Sequence, residues 1–359
     1  MSLISVFYTQ QFPQYSFVIV ISSLSTLAWA ILMRTMLTEQ SASEQLKLLK
    51  SFLLVFIIMT MLEVGISFGQ FVTRSTLNLR IEQSTVIPTF GVGADEDGTQ
   101  FRPIGLKTHA NELANSLLIS LFSILFLFLY IEKTKSALPW LFKVFVISSI
   151  LVILLITQSR AAYIGLFLSG VFFFLRERAV SLQLLSQCRD KLKPYILVLI
   201  IAALLFVPLV TRRLLYSFSS FGSGGGYSTR TELQEVAVLL LQKDYSWGVG
   251  PGMFIPAAFK DNPNGVMKYF PESVHNGFLL FATEHGLISS LFLLLFIVQF
   301  LKEIVANVVR PQNSLILAGL LALCCMMLLH PFEDTLSLLT YITLIVMSIR
   351  QKSLADAKK

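Results

Sequence analysis

Charged residues are scarce in this sequence of 359 residues. Asp, Glu, Lys and Arg make up 14% of it, hydrophobic residues make up 55%, and the mean hydropathy is +0.72. A soluble domain usually has about 25% charged residues, so the composition excludes an ordinary soluble globular domain. Long apolar runs in lipid must be helical, because the edges of an open sheet would leave backbone groups unpaired. We therefore predict an all-α, polytopic integral membrane protein in which residues 1–359 form a single transmembrane domain.

Cysteine is also rare, and no residues have the spacing of a metal or nucleotide site. The three cysteines, Cys188, Cys324 and Cys325, lack ligand spacing and are interpreted as small apolar side chains. The acidic run 95–97 lacks the spacing of a calcium-binding loop and is interpreted as a solvated loop tip. The sequence therefore predicts neither a bound metal nor a cofactor.

Long apolar runs define the expected membrane topology. A window of about 19 residues identifies nine candidate spans: 15–33, 51–70, 110–131, 139–157, 161–176, 195–211, 277–301, 314–331 and 335–350. Two connections are long, at 71–109 and 212–276. The second is predicted to contain an amphipathic helix that is capped by Ser228 or Thr229, extends to Leu241 and lies at the membrane interface.

Lysine and arginine are concentrated after the first, third, fifth and seventh spans and in the tail. By the positive-inside rule these segments are cytoplasmic, so both long connections are expected to be external. This distribution also accounts for the net charge of +7 without nucleic acid binding. The N-terminus is likewise expected outside, and no export signal precedes it. We therefore expect either that a first span is missing or that the start of the gene is truncated.

The external segments carry the polar residues that a membrane anchor does not need. Arg102, His109, Asn111 and Glu112 lie where the first loop meets the third span, and Thr108 is a candidate helix cap. Arg160 lies in the tight turn 158–160, where it is either an interfacial cation or an anion ligand.

The second long loop carries a further set of polar and turn-forming residues. It contains Arg212, Arg213 and Arg230, and a turn at 247–252 whose glycines, Gly250 and Gly252 among them, allow close approach of a ligand to the backbone. Past this turn come His275, Asn276 and Glu284. Glu284 is nine residues after His275, too far along a straight helix for a shared hydrogen bond, and is interpreted as a deeper polar position. All four histidines fall near one side of the membrane, which favours a functional role.

Five segments, taken in order, resemble the O-antigen ligase and polymerase superfamily. RPIGLKTHANELA at 102–114 resembles its R-x-x-G-x-x-x-H-x-N-x-x-A segment, and TQSRAA at 157–162 resembles its T-x-S-R-x-A turn. RTEL at 230–233, GVGPGMF at 248–254, and HNGFL at 275–279 with Glu284 and Gly286 resemble the large external loop and its exit helix. The resemblance covers about 100–290. The chain departs from the family in a short N-terminus and in Ala110, where members often have proline.

The resemblance implies a bacterial inner-membrane glycosyltransferase that needs no metal or nucleotide sugar. Its donor would be a polyprenyl-diphosphate-linked glycan on the external face, and its acceptor another glycan or a lipid, with membrane lipids around it. Arginines are natural partners for a diphosphate leaving group, and His275 could accept the proton of the acceptor hydroxyl. We predict His275, Arg230 and Arg160 as catalytic residues. The predicted substrate-binding residues are Arg102, His109, Asn111, Arg212, Arg213, Gly250, Gly252, Asn276 and Glu284.

Other functions are compatible with parts of the sequence. A polymerase, whose acceptor is a second lipid-linked glycan, is favoured over a ligase acting on lipid A core, because nothing signals a specialised acceptor. A transporter could use Glu284 and His285 as an ion path. However, transporters usually place their site at the midplane between internal repeats, and no repeat is evident. A non-catalytic assembly partner would not need external arginines.

Overall fold

The computed structural model describes residues 42–75, 101–107, 109–132, 139–176, 226–268, 272–306 and 311–329, with single positions in 21–35 and Leu77. All regular elements in these ranges are helical, which confirms the predicted class. The α-helices are α1 (Ala42–Thr73), α2 (Ala110–Glu132), α3 (Trp140–Ile156), α4 (Arg160–Arg176), α5 (Gly226–Lys243), α6 (Phe254–Asp261), α7 (Gly277–Ala306) and α8 (Pro311–Leu329). A short 3-10 helix, Val266–Lys268, follows α6.

The helices of the described ranges lie where the apolar runs predicted spans. α2, α3, α4 and α8 match their predicted spans within three residues at each end, whereas α1 begins nine residues before its span and α7 ends five residues after it. The spans 195–211 and 335–350, and most of 15–33, lie outside the described residues. The count of nine spans therefore stays a prediction.

Long apolar stretches with exposed side chains identify the chain as an integral membrane protein. Leu54–Thr73 in α1 and Gly277–Gln299 in α7 are long and apolar enough to cross a membrane. Shorter apolar stretches are Ala110–Phe126, Leu141–Ile156 and Leu317–Leu328. Large apolar side chains on α1, α3, α4 and α7 are exposed in the described structure, as a surface in contact with lipid requires.

Helix α2 is the centre of the main core. It packs against α1, α3, α4 and α8, and α8 also packs against α4. Small residues bring these helices close together: a Cβ added to Gly165 would lie 3.2 Å from the carbonyl oxygen of Ala322 and 3.3 Å from the side chain of Leu118. Such close approach is typical of helix packing in membranes.

The second long loop folds around its own apolar cluster, formed by α5, α6 and the start of α7. Its buried members are Leu233, Ala237, Leu240, Phe254, Ala258, Met267 and Val274. Helix α5 covers Gly226–Lys243, so it begins just before the predicted caps, Ser228 or Thr229, and ends two residues after Leu241, while α6 was not predicted. The buried positions 233, 237 and 240 recur every three or four residues, as one helical face requires.

Helix α7 is not the straight helix that the sequence predicted. It is interrupted at Gly286, whose φ of 79° and ψ of 168° are non-helical. The exposed large apolar side chains described in α7, from Leu287 to Val298, all follow this interruption. Gly286 thus separates a half that packs against the second long loop from a half that exposes apolar surface.

Candidate functional site

The segment that carries Arg102 is fastened to α1 by two polar side chains. The Gln70 carboxamide oxygen accepts hydrogen bonds from the backbone N–H groups of Ile104 (3.1 Å) and Gly105 (2.8 Å), and its Nε2 donates to the Gly105 carbonyl (2.9 Å). Two turns earlier on α1, Glu63 Oε1 accepts a hydrogen bond from the backbone N–H of Leu106 (2.9 Å). Residues seven apart share a helix face, so α1 presents both groups to the segment.

Arg102 joins the start of α2 to the turn between α3 and α4. Its side chain is only 6% exposed. Nε donates to the carbonyl oxygen of Thr157 (2.8 Å), and Nη2 donates to Asn111 Oδ1 (3.0 Å). The two groups that the guanidinium binds lie 55 and 9 residues away along the chain. Arg102 therefore connects the motif at 102–114 to the motif at 157–162. These bonds favour a positioning role for Arg102 and Asn111; direct substrate binding by either stays a prediction.

The start of α2 is capped by His109. The backbone N–H of Asn111 donates to His109 Nδ1 (3.0 Å), so the neutral imidazole carries its proton on Nε2. Thr108, the cap expected from the sequence, lies outside the described residues. His109, predicted to bind substrate, thus has a capping contact that ties it to the helix end.

The turn before α4 is as tight as its sequence predicted. Thr157, Gln158 and Ser159 are all buried, and Gln158 adopts a φ of 53°, which is uncommon for a residue other than glycine. Ser159 Oγ accepts a long hydrogen bond from the N–H of Ala162 (3.5 Å). Arg160 is the first residue of α4, so it lies beside the turn that Arg102 holds in place.

The glycine-rich turn of the second loop docks on α7 through Glu284. Glu284 Oε2 accepts from the N–H of Gly252 (2.9 Å), Oε1 accepts from the N–H of Phe254 (3.3 Å), and its backbone carbonyl accepts from the N–H of Gly250 (2.9 Å). The backbone of this turn approaches α7 closely, where the sequence predicted the approach of a ligand. Glu284 therefore holds the start of α6 against α7, and its role in substrate binding stays a prediction.

Asn276 begins α7. Its Oδ1 accepts from the N–H of Leu279 (3.0 Å), and its carbonyl accepts from the N–H of Leu280 (2.8 Å), which is the usual N-cap arrangement. The cap fixes His275 immediately before the first turn. Further along α7, His285 stacks on Phe281 with ring centroids 4.3 Å apart. His330, Arg212 and Arg213 lie outside the described residues.

Glu272 is the residue on which the separate segments converge. Its Oε2 lies 3.7 Å from His275 Nε2, and the two side chains are 37% and 10% exposed respectively. Burial raises the pKa of Glu272, nearby Arg230 opposes this shift, and Glu112 adds to it. α5, the first turn of α2 and the segment before α7 therefore present charged groups to one carboxyl.

Sequence reasoning missed Glu272. One signal was available, since a carboxylate stands three residues before His275 in the PESVHN segment. However, nothing in a single sequence indicates that this carboxylate, rather than one of its neighbours, faces Arg230 and Glu112. Within the described ranges, no group of three or more His, Cys, Asp or Glu side chains is placed to hold a metal ion.

Comparison with known proteins bears on the region that contains most of this geometry. Residues 144–294 match the family model described as O-antigen ligase. The matched residues cover less than half of the chain. The match confirms the resemblance to the O-antigen ligase and polymerase superfamily and supports a role of that type. No curated protein and no solved structure matches the chain.

The matched residues include the turn with Arg160, Arg230, the glycine-rich turn and His275. The Arg102 segment precedes them. The bond from Arg102 Nε to the Thr157 carbonyl nevertheless attaches that segment to the matched region.

Proposed function

We propose that this protein is a membrane glycosyltransferase that acts on polyprenyl-diphosphate-linked glycan at the external face of the bacterial inner membrane, and that it polymerises this glycan. The proposal is supported above all by the convergence of three helix N-termini. α2 and α4 begin beside the two groups that Arg102 joins. Glu112 in the first turn of α2 acts on Glu272, five residues before the start of α7. Helix N-termini carry partial positive charge and favour a phosphate group.

Two arginines add full positive charge at this end of the bundle. Arg160 is the first residue of α4, and Arg230 on α5 is close enough to Glu272 to oppose the rise that burial causes in its pKa. A guanidinium binds phosphate oxygens in a bidentate manner, so a diphosphate between these arginines would be held by its charge and its shape. The external location of this site follows from the distribution of lysine and arginine and stays a prediction.

The reaction we propose is a direct displacement at the anomeric carbon. The acceptor hydroxyl oxygen forms the new bond to that carbon, and the bond from the carbon to the diphosphate oxygen breaks. The diphosphate leaves with the bonding electron pair, while the hydroxyl proton moves to His275. Arg160 and Arg230 stabilise the negative charge that develops on the leaving oxygen.

The transporter alternative loses its main support in the structure. Its ion path would use Glu284, but both carboxylate oxygens of Glu284 accept backbone N–H groups of the glycine-rich turn and α6. A carboxylate engaged in this way holds the fold rather than lining a path for ions. The ligase differs from the polymerase only in its acceptor, which the assay below distinguishes.

Purified protein in vesicles is expected to lengthen lipid-linked glycan when that glycan is the only substrate. The measurement is the length distribution of the product after release from its lipid. A product that forms only when lipid A core is added would identify a ligase. If the glycan stays unmodified under both conditions, the glycosyltransferase proposal is wrong.

In the same assay, replacing Arg160 or Arg230 with alanine is expected to lower turnover roughly 10²–10³-fold, the usual effect of losing one group that stabilises developing negative charge. Lysine at either position should restore only part of the activity, because it lacks the planar fork. Arg176, in the last turn of α4, provides a control on the same helix, and Arg176→Ala should keep wild-type turnover. Full activity in both Arg160→Ala and Arg230→Ala would remove these arginines from the site.

A further inference from the structure

The segment that carries Glu272 and His275 is fixed between α5 and α7. Val274, between the two residues, is fully buried in the apolar cluster of the external loop, and Asn276 caps α7 directly after His275. The imidazole and the carboxylate therefore face each other across a held segment, 3.7 Å apart. This distance permits an ion pair and is slightly longer than a direct hydrogen bond.

The stability of the fold alone does not explain a glutamate at position 272. Burial raises its pKa, which means that the fold disfavours the ionised carboxylate. Glu112 on α2 opposes ionisation further, and only Arg230 on α5 favours it. A neutral side chain of the same size would fit this position at a lower energetic cost. Ionisable groups kept in such places are concentrated at functional sites.

We infer that Glu272 is a positioning residue for His275: its carboxylate orients the imidazole and stabilises the imidazolium that forms when His275 accepts the acceptor's proton. The inference rests on the proposed function, in which His275 is that base. This positioning role requires neither a metal ion nor a cofactor. The segment at 272–275 thus supplies both the base and the charge that balances it.

Arg230 connects this pair to the donor. Its positive charge favours the ionised form of Glu272 and opposes the effect of burial on the pKa, and the same guanidinium is assigned to the diphosphate in the proposed function. A carboxylate within about 4–6 Å favours the charged form of a histidine. His275 therefore becomes a stronger base when Glu272 is ionised, and the proton that it takes from the acceptor hydroxyl is held beside a negative charge until it is released to solvent.

The test is Glu272→Gln, which keeps the shape of the side chain and removes its charge. Activity should rise with pH as His275 loses its proton, and the variant should shift this rise to lower pH by about one unit, the lower end of the usual effect of a neighbouring opposite charge. One unit corresponds to about a tenfold change, so kcat at the plateau should fall about tenfold. The KM for the lipid-linked donor should change little. Glu272→Asp should recover part of the lost activity.

Thermal stability separates this role from a structural one. A carboxyl whose folded-state pKa is raised stabilises the fold while it is protonated, and this stabilisation is lost as pH rises through the folded-state pKa. Glutamine cannot ionise, so Glu272→Gln should unfold at or above the wild-type temperature at neutral pH. Glu235→Gln on the exposed face of α5 is the control and should leave both kcat and the pH profile unchanged.

Each combination of results has a definite meaning. A pH profile and kcat equal to wild type in Glu272→Gln, with His275→Ala inactive, overturn the inference and leave the proposed function intact. A lower unfolding temperature that accounts for the lost activity also overturns it. If His275→Ala is itself active, the assignment of the base in the proposed function fails, and the inference fails with it. A shifted profile with unchanged or higher stability supports both.

Discussion

Replacing His275 with alanine is expected to lower the turnover of lipid-linked glycan by roughly 10²–10⁴-fold, the usual contribution of a general base. The imidazole lies between the buried Val274 and the cap of α7, with Glu272 at 3.7 Å. These neighbours fix its position, so its loss removes a proton acceptor that water would replace poorly. Binding of the donor should persist, because the arginines that we assign to the diphosphate remain. Single-turnover assays beside a binding measurement with the lipid-linked donor would check both expectations.

His285 provides a matched control for this variant. It stacks on Phe281 within α7 and makes no contribution to the proposed chemistry, so His285→Ala should keep turnover near that of the wild type. If His275→Ala stays within about tenfold of wild-type turnover, less than a general base usually contributes, the catalytic assignment is wrong.

His109 would not be a simple substitute for His275. Its Nδ1 already accepts the N–H of Asn111, and the neutral ring then carries a proton on Nε2. For His109 to act as a base, this capping bond would have to break. The sequence alone distinguishes the two histidines poorly, because each is followed within two residues by an asparagine near the start of a predicted span. The structure therefore favours His275 over His109 more strongly than the sequence does.

The apolar runs were sufficient to predict most helix boundaries in the described ranges. α3 begins at Trp140 and ends at Ile156, within one residue of the predicted span. The charged and turn-forming residues between α3 and α4 also predicted the tight turn that holds Arg160. These features depend on local composition and on the length that a helix needs to cross lipid, and both can be obtained from one sequence.

The partners of the polar side chains could not be predicted in the same way. Glu284 binds the N–H groups of Gly252 and Phe254, which lie 32 and 30 residues earlier in the chain, and Gln70 binds a segment that begins 34 residues later. Sequence periodicity contains no information on such distant pairs. The sequence shows Glu284 and Gln70 only as polar residues inside predicted spans and does not indicate which groups they bind. The convergence of Arg230 and Glu112 on Glu272 escaped prediction for the same reason.

The interruption in α7 also depends on distant contacts. A glycine inside an apolar run is tolerated in a helix, so Gly286 alone did not predict a break. The break occurs because the backbone at 245–250 packs against it. The N–H of Leu287 donates to the Tyr245 carbonyl (2.8 Å), and the N–H of Val249 donates to the Thr283 carbonyl (3.0 Å).

Gly248 and Gly286 lie where the second long loop packs closely against α7. Both have positive φ, at 72° and 79°. A Cβ added to Gly286 would lie 2.1 Å from the Ser246 carbonyl oxygen, and one added to Gly248 would lie 2.6 Å from the backbone of Glu284. Because the obstructing atoms are backbone atoms, no side-chain rotation can make room for a methyl group at either position.

Gly286→Ala is therefore expected to detach the glycine-rich turn from α7 and to destabilise the protein by about 3 kcal/mol or more, since the φ and ψ of Gly286 are almost exclusive to glycine. Detachment would remove the bonds from Gly250, Gly252 and Leu287, and would free the segment that places His275. The measurements are the thermal unfolding temperature in detergent, protease cleavage within 244–254, and turnover, and all three should change together.

Gly65→Ala is the matched control for this variant. Gly65 lies in α1, and a Cβ there would have no neighbour within 4 Å. Alanine is favoured over glycine inside a helix by up to about 1 kcal/mol, so this variant should be as stable as the wild type or slightly more stable. If Gly286→Ala resists the protease and unfolds like Gly65→Ala, the close packing of the second long loop on α7 is wrong. The contacts through which we infer that this loop positions His275 would then be wrong as well, whatever the outcome of the histidine variants.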